Sequence, residues 1–263
     1  MTTDSTRQTR ALVRDHCATV ALSDPSRGSA GGCCAPGPAQ PDASEALGYD
    51  PAMLASLPSG PDLALGCGNP HAIASLQAGE TVLDLGSGAG IDCILAAARV
   101  GGEGQVIGVD MTAEMIARAR VGVAKTPHSN IEFRLGEIEH LPVADRSVGV
   151  VLSNCVVNLS LDQAAVYREV ARVLRPGGRV AISDVVAIAD MPETVANDIA
   201  ALTGCVSGAA RADQIRAHLE SAGLVDVSVA VKPESRASSR SGFRGMVWKT
   251  SSPRLRSRLR NRP

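Results

Sequence analysis

The sequence predicts an α/β fold, a doubly wound and mostly parallel sheet with helices on both faces. Three observations predict it. From about Gly79 onward, short apolar runs alternate with longer segments of helical pattern. The first run ends in a glycine loop, Asp84-Leu85-Gly86-Ser87-Gly88-Ala89-Gly90, and the next closes at Asp110. Pro176-Gly177-Gly178 and Gly223 punctuate the later segments, as helix stops do.

The elements follow in order. Residues 8–22 have a short helical pattern, and residues 23–62, rich in Gly, Pro, Ser and Ala, are expected to be mostly loop. Residues 1–62 thus form a loop-rich N-terminal extension to a domain over 63–232. Thr81–Leu85 is a buried strand, Ile91–Val100 an alanine-rich helix and Gln105–Val109 a second strand. Thr112 is placed to cap a helix running through Ala124. Ile131–Leu135 and Ser147–Ser153 are the third and fourth strands. Asp162 starts a helix that Pro176-Gly177-Gly178 stops, Arg179–Val186 is the fifth strand, Arg211–Ala222 a helix and Val225–Lys232 a last strand. Residues 233–263 form a basic tail with no acid after Glu234, expected to be a solvated, disordered end rather than a nucleic-acid arm.

Composition narrows the functional classes. The 263 residues are 44% hydrophobic but only 2% aromatic, so Ala, Val, Leu and Ile must fill the core. A net charge of −1 gives no reason to expect a nucleic-acid partner. No apolar run is long enough for a membrane span, and Met1 to Arg10 lacks an apolar signal core, so the expectation is a cytoplasmic protein. With no clue to a larger assembly, a monomer is expected. In a reducing compartment the seven cysteines are expected to be catalytic, metal-binding or simply buried.

A strand ending in Gly-x-Gly-x-Gly exposes backbone that a ligand can approach, at the carboxyl ends of the strands. Gly86, Gly88 and Gly90 meet that need, and Asp110 is placed to accept ribose hydroxyls. A dinucleotide fingerprint would require its last glycine where Ile91 stands. Asp84, just before the loop, would repel a pyrophosphate. It suits a small-molecule ligand carrying an ammonium and a sulfonium, as S-adenosylmethionine does. Glu137, after the third strand, is placed to line an adenine pocket, with Ile138 packing on the ring.

Cys67, Cys155 and Cys205 fall in loops or at strand ends. Three thiolates converging at the mouth of the sheet would bind a soft ion tightly, although any one of them is equally well a small buried hydrophobe. Cys33 and Cys34 are adjacent in a Gly-rich stretch, where an exposed thiol can attack a disulfide. Cys17 and Cys93 stand at apolar positions of helical patterns and are expected in the core. No His-x-x-x-His or Cys-x-x-Cys spacing supports zinc.

Leu65-Gly66-Cys67-Gly68-Asn69-Pro70, Val82 to Gly90, Val106 to Thr112, Phe133 to Glu139, Ser153 to Leu159, Ile182 to Val186 and the Gly204-Cys205 segment together resemble the arsenite methyltransferase family. The resemblance runs from about Tyr49 to Glu234. It implies a class I methyltransferase, Rossmann-like fold with S-adenosylmethionine as donor, bound by Asp84, Gly86, Ser87, Gly88, Gly90, Asp110, Met111, Glu137, Ile138 and Asn154. It implies trivalent arsenic held by Cys67, Cys155 and Cys205, with Cys33 or Cys34 joining a disulfide during turnover. A thiol reductant, glutathione or a thioredoxin-like partner, would then be a co-substrate. Gly149 stands where the family often has Asp, and His16-Cys17 where Tyr-Gly is common. After Glu234 the resemblance stops, and the Arg-rich tail is expected to replace a last strand and leave a sheet edge unpaired. Two other readings fit the residues: methylation of carbon or oxygen on a small apolar acceptor such as a quinone precursor, with the thiols as spectators, or metalloid binding without turnover.

Overall fold

Short runs of β-branched and aliphatic residues form five parallel strands: β1 (Thr81–Leu85), β2 (Gln105–Asp110), β3 (Ile131–Leu135), β4 (Val148–Asn154) and β5 (Leu174–Ser183). They pair in the order β3-β2-β1-β4-β5. The computed structural model describes residues 3–23, 43–58, 60–63, 65–187, 202 and 207–231. The strand order reverses beside β1, so the segments that leave β1 and β4 run in opposite directions and open a crevice beyond the strands' carboxyl ends.

The period-two alternation of the strands splits the core in two. Leu83, Leu85, Ile107, Val109, Val151, Val180 and Ile182 face one side. There they meet α7 (Gln163–Val173) through Val166, Tyr167 and Val170, and α8 (Ala212–Ser221) through Ile215 and Leu219. Val82, Val106, Val150, Leu152 and Ala181 face the other, against α5 (Ile91–Val100) through Cys93, Ala96, Ala97 and Val100 and against α6 (Ala113–Val123) through Ile116 and Ala119. Among the described residues, the buried cluster on each side holds one Tyr or Phe ring, Tyr167 or Phe133, so aliphatic packing carries the core as the composition requires. At the amino end of the sheet, both nitrogens of the Arg179 fork lie 2.6 Å from the Glu80 carboxylate oxygens. Arg179 also donates to the carbonyls of Ala74 and Ser75, tying α4 (His71–Ala74) to β5.

The elements depart from the sequence expectations at several places, among them that β5 runs Leu174–Ser183 rather than Arg179–Val186. The N-terminal helix α1 spans Thr3–Leu22 and packs on α6, where Arg118 donates to the Ala21 carbonyl at 2.7 Å. Within 43–58 there are two short helices, α2 (Ala43–Ala46) and α3 (Pro51–Ala55). Asp50 caps α3 by accepting from the Ala52 N–H at 2.9 Å, with Pro51 pre-set for the first turn. The Thr112 side chain makes no cap; Asp110 instead accepts from the Thr112 N–H. Helix α7 ends at Val173, before Pro176, because buried Leu174 already adopts extended geometry and pairs with Val148. Finally, Val225–Val231 forms no strand, although its alternation is real: Val227 and Val229 pack on the core without joining a ladder. The expected tail, 233–263, lies outside the described residues.

Candidate active site

The glycine loop follows β1 directly. Gly86, Gly88 and Gly90 take φ values of 63°, 51° and 94°, the left-handed region that side chains avoid. Asp110 fixes the loop to the end of β2: its carboxylate accepts from Gly88 N–H at 3.0 Å and from Thr112 N–H at 2.8 Å. Burial raises the Asp110 pKa, and the two backbone donors work against that rise. Two adjoining cavities open above the loop. One, of about 110 Å³, is bordered by Gly86, Ser87, Gly88, Asp92, Asn154 and Cys155. The other, of about 50 Å³, is bordered by Met111, Ile138, Glu139 and Arg10. Gly86, Asp110, Val156 and Leu159 border both. A Cβ on Gly88 would stand in open space, whereas one on Gly86 would run into the Val156 side chain.

Two thiols meet on the β4–β5 side of these cavities. Cys155 follows β4 in a left-handed conformation, φ 59°, and its N–H donates to the Ser183 carbonyl at 2.8 Å. The Cys67 thiol approaches the same carbonyl at 3.6 Å. The two sulfurs and a carboxylate oxygen of Asp184 all lie within 4.8 Å of one another. Asn154 holds the Cys67 loop: its side-chain oxygen accepts from Cys67 N–H at 3.1 Å, and its amide donates to Gly68 O and the Tyr49 hydroxyl, both at 2.9 Å. Gly66 is required there, since a Cβ would stand 2.6 Å from the Asn154 amide nitrogen.

The sequence pattern of the Methyltransf_31 family, a methyltransferase domain, matches residues 76–223. The chain belongs to this methyltransferase family. An arsenite methyltransferase of Halobacterium salinarum is 54% identical over 87% of this chain and 60% of its own length. One from Aquipseudomonas alcaligenes is 42% identical over 55% of this chain and 43% of its own. The chain therefore spans less than two thirds of the curated relatives it matches. The crystal structure of an arsenic(III) S-adenosylmethionine methyltransferase from Chlamydomonas reinhardtii superposes with a TM-score of 0.59 at 34% identity, covering 74% of this chain and 65% of that one.

Of the positions singled out in the sequence, the methyltransferase brings Gly86, Ser87, Gly88, Asp110, Met111, Ile138, Asn154 and Cys155 to the cavities. Gly90 instead begins α5, its Cα close against the Phe133 ring. Asp84 borders neither cavity. It lies buried behind the loop, where the Cys93 thiol donates to it at 3.3 Å. Burial and then the neighbouring Asp92 push its carboxyl pKa well up. Asp92, in the first turn of α5, does border the larger cavity; it accepts from the Tyr49 hydroxyl at 2.7 Å and lies 3.1 Å from His71 Nε2. An acid in a helix's first turn is so common that it carries no distinct signal in a sequence. Glu137 turns away to pair with Arg10 at 3.1 Å, while its neighbour Glu139 lines the smaller cavity and accepts from Ser160 at 2.7 Å. Cys17, expected in the core, is half-buried and borders both cavities, because α1 lies across their rim. Cys93 is buried as expected. At Gly149 the absent side chain leaves room for the Arg175 guanidinium, 2.7 Å from where a Cβ would stand. Cys33, Cys34 and Cys205 lie outside the described residues. No described helix is long and apolar enough to cross a membrane.

Proposed function

We propose that this methyltransferase moves methyl groups from S-adenosylmethionine to trivalent arsenic held by the thiols of Cys67, Cys155 and Cys205. The observation that carries this reading is the meeting of Cys67 and Cys155 beside the cavity floored by the glycine loop. Cys205 stands three residues before Gly208, whose Cα abuts the Asn158 carbonyl of the Cys155 turn. Three residues of chain reach at most about 10 Å.

The residues fit the donor. Each Asp110 oxygen accepts one backbone N–H and keeps a lone pair for a ribose hydroxyl. Met111 and Ile138 offer apolar contact for an adenine, and buried Asp92 offers a negative charge for an ammonium. When bound, S-adenosylmethionine supplies a methyl group made electrophilic by its sulfonium. The protein's part is to bind arsenic and aim it. Each thiol gives its proton to a hydroxide leaving arsenous acid, so water departs as an As–S bond forms. Arsenic keeps a lone pair that can attack carbon without a general base, in keeping with cavities that no His or Lys borders among the described residues. Alignment of this kind is worth roughly 7–11 kcal/mol in well-oriented reactions. Methylated arsenic, formally pentavalent, returns to the trivalent state when a sulfur ligand leaves it as half of a disulfide. Here one ligand suffices: the free Cys33 or Cys34 thiolate attacks the arsenic-bound sulfur of Cys67, so the S–S bond forms as the As–S bond breaks and leaves its electron pair on arsenic, and glutathione or a thioredoxin-type donor resets the disulfide. The setting is a monomer in a reducing cytoplasm.

The test is incubation with S-adenosylmethionine, arsenite and glutathione, followed by speciation of arsenic. Methylated arsenic is expected from the wild-type chain and none from Cys155→Ser, with S-adenosylhomocysteine affinity in that variant within about twofold. Undiminished arsenic methylation by Cys155→Ser would overturn the reading.

A further inference from the structure

Asp184 stands at the end of β5, almost wholly buried, and no part of the chemistry above uses it. One of its oxygens lies within 4.8 Å of both thiol sulfurs, which at first sight makes a mixed sulfur and oxygen site. The hydrogen bonds argue otherwise. One oxygen accepts from Val157 N–H at 2.9 Å and Asn158 N–H at 3.3 Å. The other accepts from the Asn158 side-chain amide and Val185 N–H, both at 2.8 Å. A carboxylate has about four lone-pair sites, and these four donors fill them. A cation could gain an oxygen ligand here only by stripping a buried N–H of its partner.

What the four donors have in common is their place. Three come from the turn at 157–158, immediately after Cys155 and Val156, and one from the chain leaving β5. Cys155 itself sits in a left-handed conformation that a residue with a side chain avoids, so something outside it must hold it there. Its N–H is anchored on Ser183, one residue before Asp184. The Asn158 amide closes the clamp by donating also to the Val185 carbonyl.

We infer that Asp184 is a positioning residue: its carboxylate clamps the Val157–Asn158 turn and so aims the Cys155 thiol at the cavity. The expected link to arsenic rests on the proposed function; the placement of Cys155 does not.

The experiment uses the full chain and two variants. Asp184→Asn keeps the shape but turns an acceptor into a donor facing N–H groups, and Asn158→Ala removes one donor while leaving the carboxylate. Alkylation of each cysteine by iodoacetamide is followed by mass spectrometry, with buried Cys93 as the internal reference. In Asp184→Asn, Cys155 is expected to react about tenfold faster relative to Cys93, the scale of losing a hydrogen bond to a charged group. Asn158→Ala should give a smaller rise of the same sign, and decides the matter if Asp184→Asn fails to fold. S-adenosylhomocysteine affinity should stay within about twofold, and the arsenite KM should rise more than kcat falls. Unchanged Cys155 reactivity in a folded variant overturns the inference, even if arsenic turnover drops. Faster alkylation with no arsenic methylation by the wild-type chain upholds the clamp and overturns the assigned substrate instead.

Discussion

The two halves of the site are built on opposite plans. The glycine-loop half is nearly continuous in sequence: β1, the loop, the start of α5, and β2 with Asp110 occupy residues 81–112. Backbone shape does most of the work there, with one carboxylate as a brace. The thiol half is gathered from residues 65–70, 154–158 and 183–185, and side chains hold it together. Asn154 fastens Cys67 and Asp184 fastens the turn after Cys155. A half made of backbone tolerates few substitutions at its glycines. A half made of staples should fail piecemeal, one thiol at a time.

Gly88→Val attacks the first half alone. It puts a β-branched side chain at φ 51° and fills space above the loop. S-adenosylhomocysteine affinity, measured by calorimetry, is expected to fall about a hundredfold, as a lost close approach plus left-handed strain would give. The alkylation pattern of Cys67 and Cys155 should not change. A matching change in thiol reactivity would mean the halves are one unit and would break the contrast.

The same division decides what was legible in the sequence. Strand, glycine loop and acid follow one another closely, so local pattern was enough to place β1, α5, β2 and Asp110. Cys67 and Cys155 were recognisable as residues, but Asp184 lies 26 positions from Asn158, and nothing local marks a carboxylate that serves a distant turn. The position of Asp84 was hidden for a related reason. In the alternation of β1 it falls on the α5 side and faces Cys93, while Asp92, in the first turn of α5 beyond the loop, borders the cavity. Val225–Val231 shows that an alternating pattern records burial of one side and not pairing.

Asn154→Ala attacks the second half. It removes the acceptor for Cys67 N–H and the donor shared by Tyr49 and Gly68. Leaving those buried groups unpaired should cost about 2 kcal/mol in chemical denaturation. Cys67 should become the faster-reacting thiol, with Cys155 still held by Ser183 and Asp184. If Cys155 loosens equally, the two staples are coupled rather than independent.

Tyr49 is the seam between the halves, and it offers the smallest and most specific test. Its hydroxyl donates to Asp92, on the loop side, and accepts from Asn154, on the thiol side. Burial, and then the charge of Asp92, push its pKa well above the ordinary tyrosine value. The folded chain therefore holds that proton more tightly than the unfolded chain does. Its contribution is complete below the unfolded value of about 10 and declines as pH rises beyond it. Tyr49→Phe should cost about 1 kcal/mol at neutral pH, for one hydrogen bond to a charged group less the burial that the ring retains. The difference between the two proteins should narrow as unfolding is followed upward from pH 10, because wild type alone loses this proton's contribution. Tyr167, also raised by burial, is present in both and cancels. A gap constant with pH would show that the Tyr49 hydroxyl is no tighter in the fold than in water, and that the seam is held by ring packing rather than by the bridge from Asn154 to Asp92.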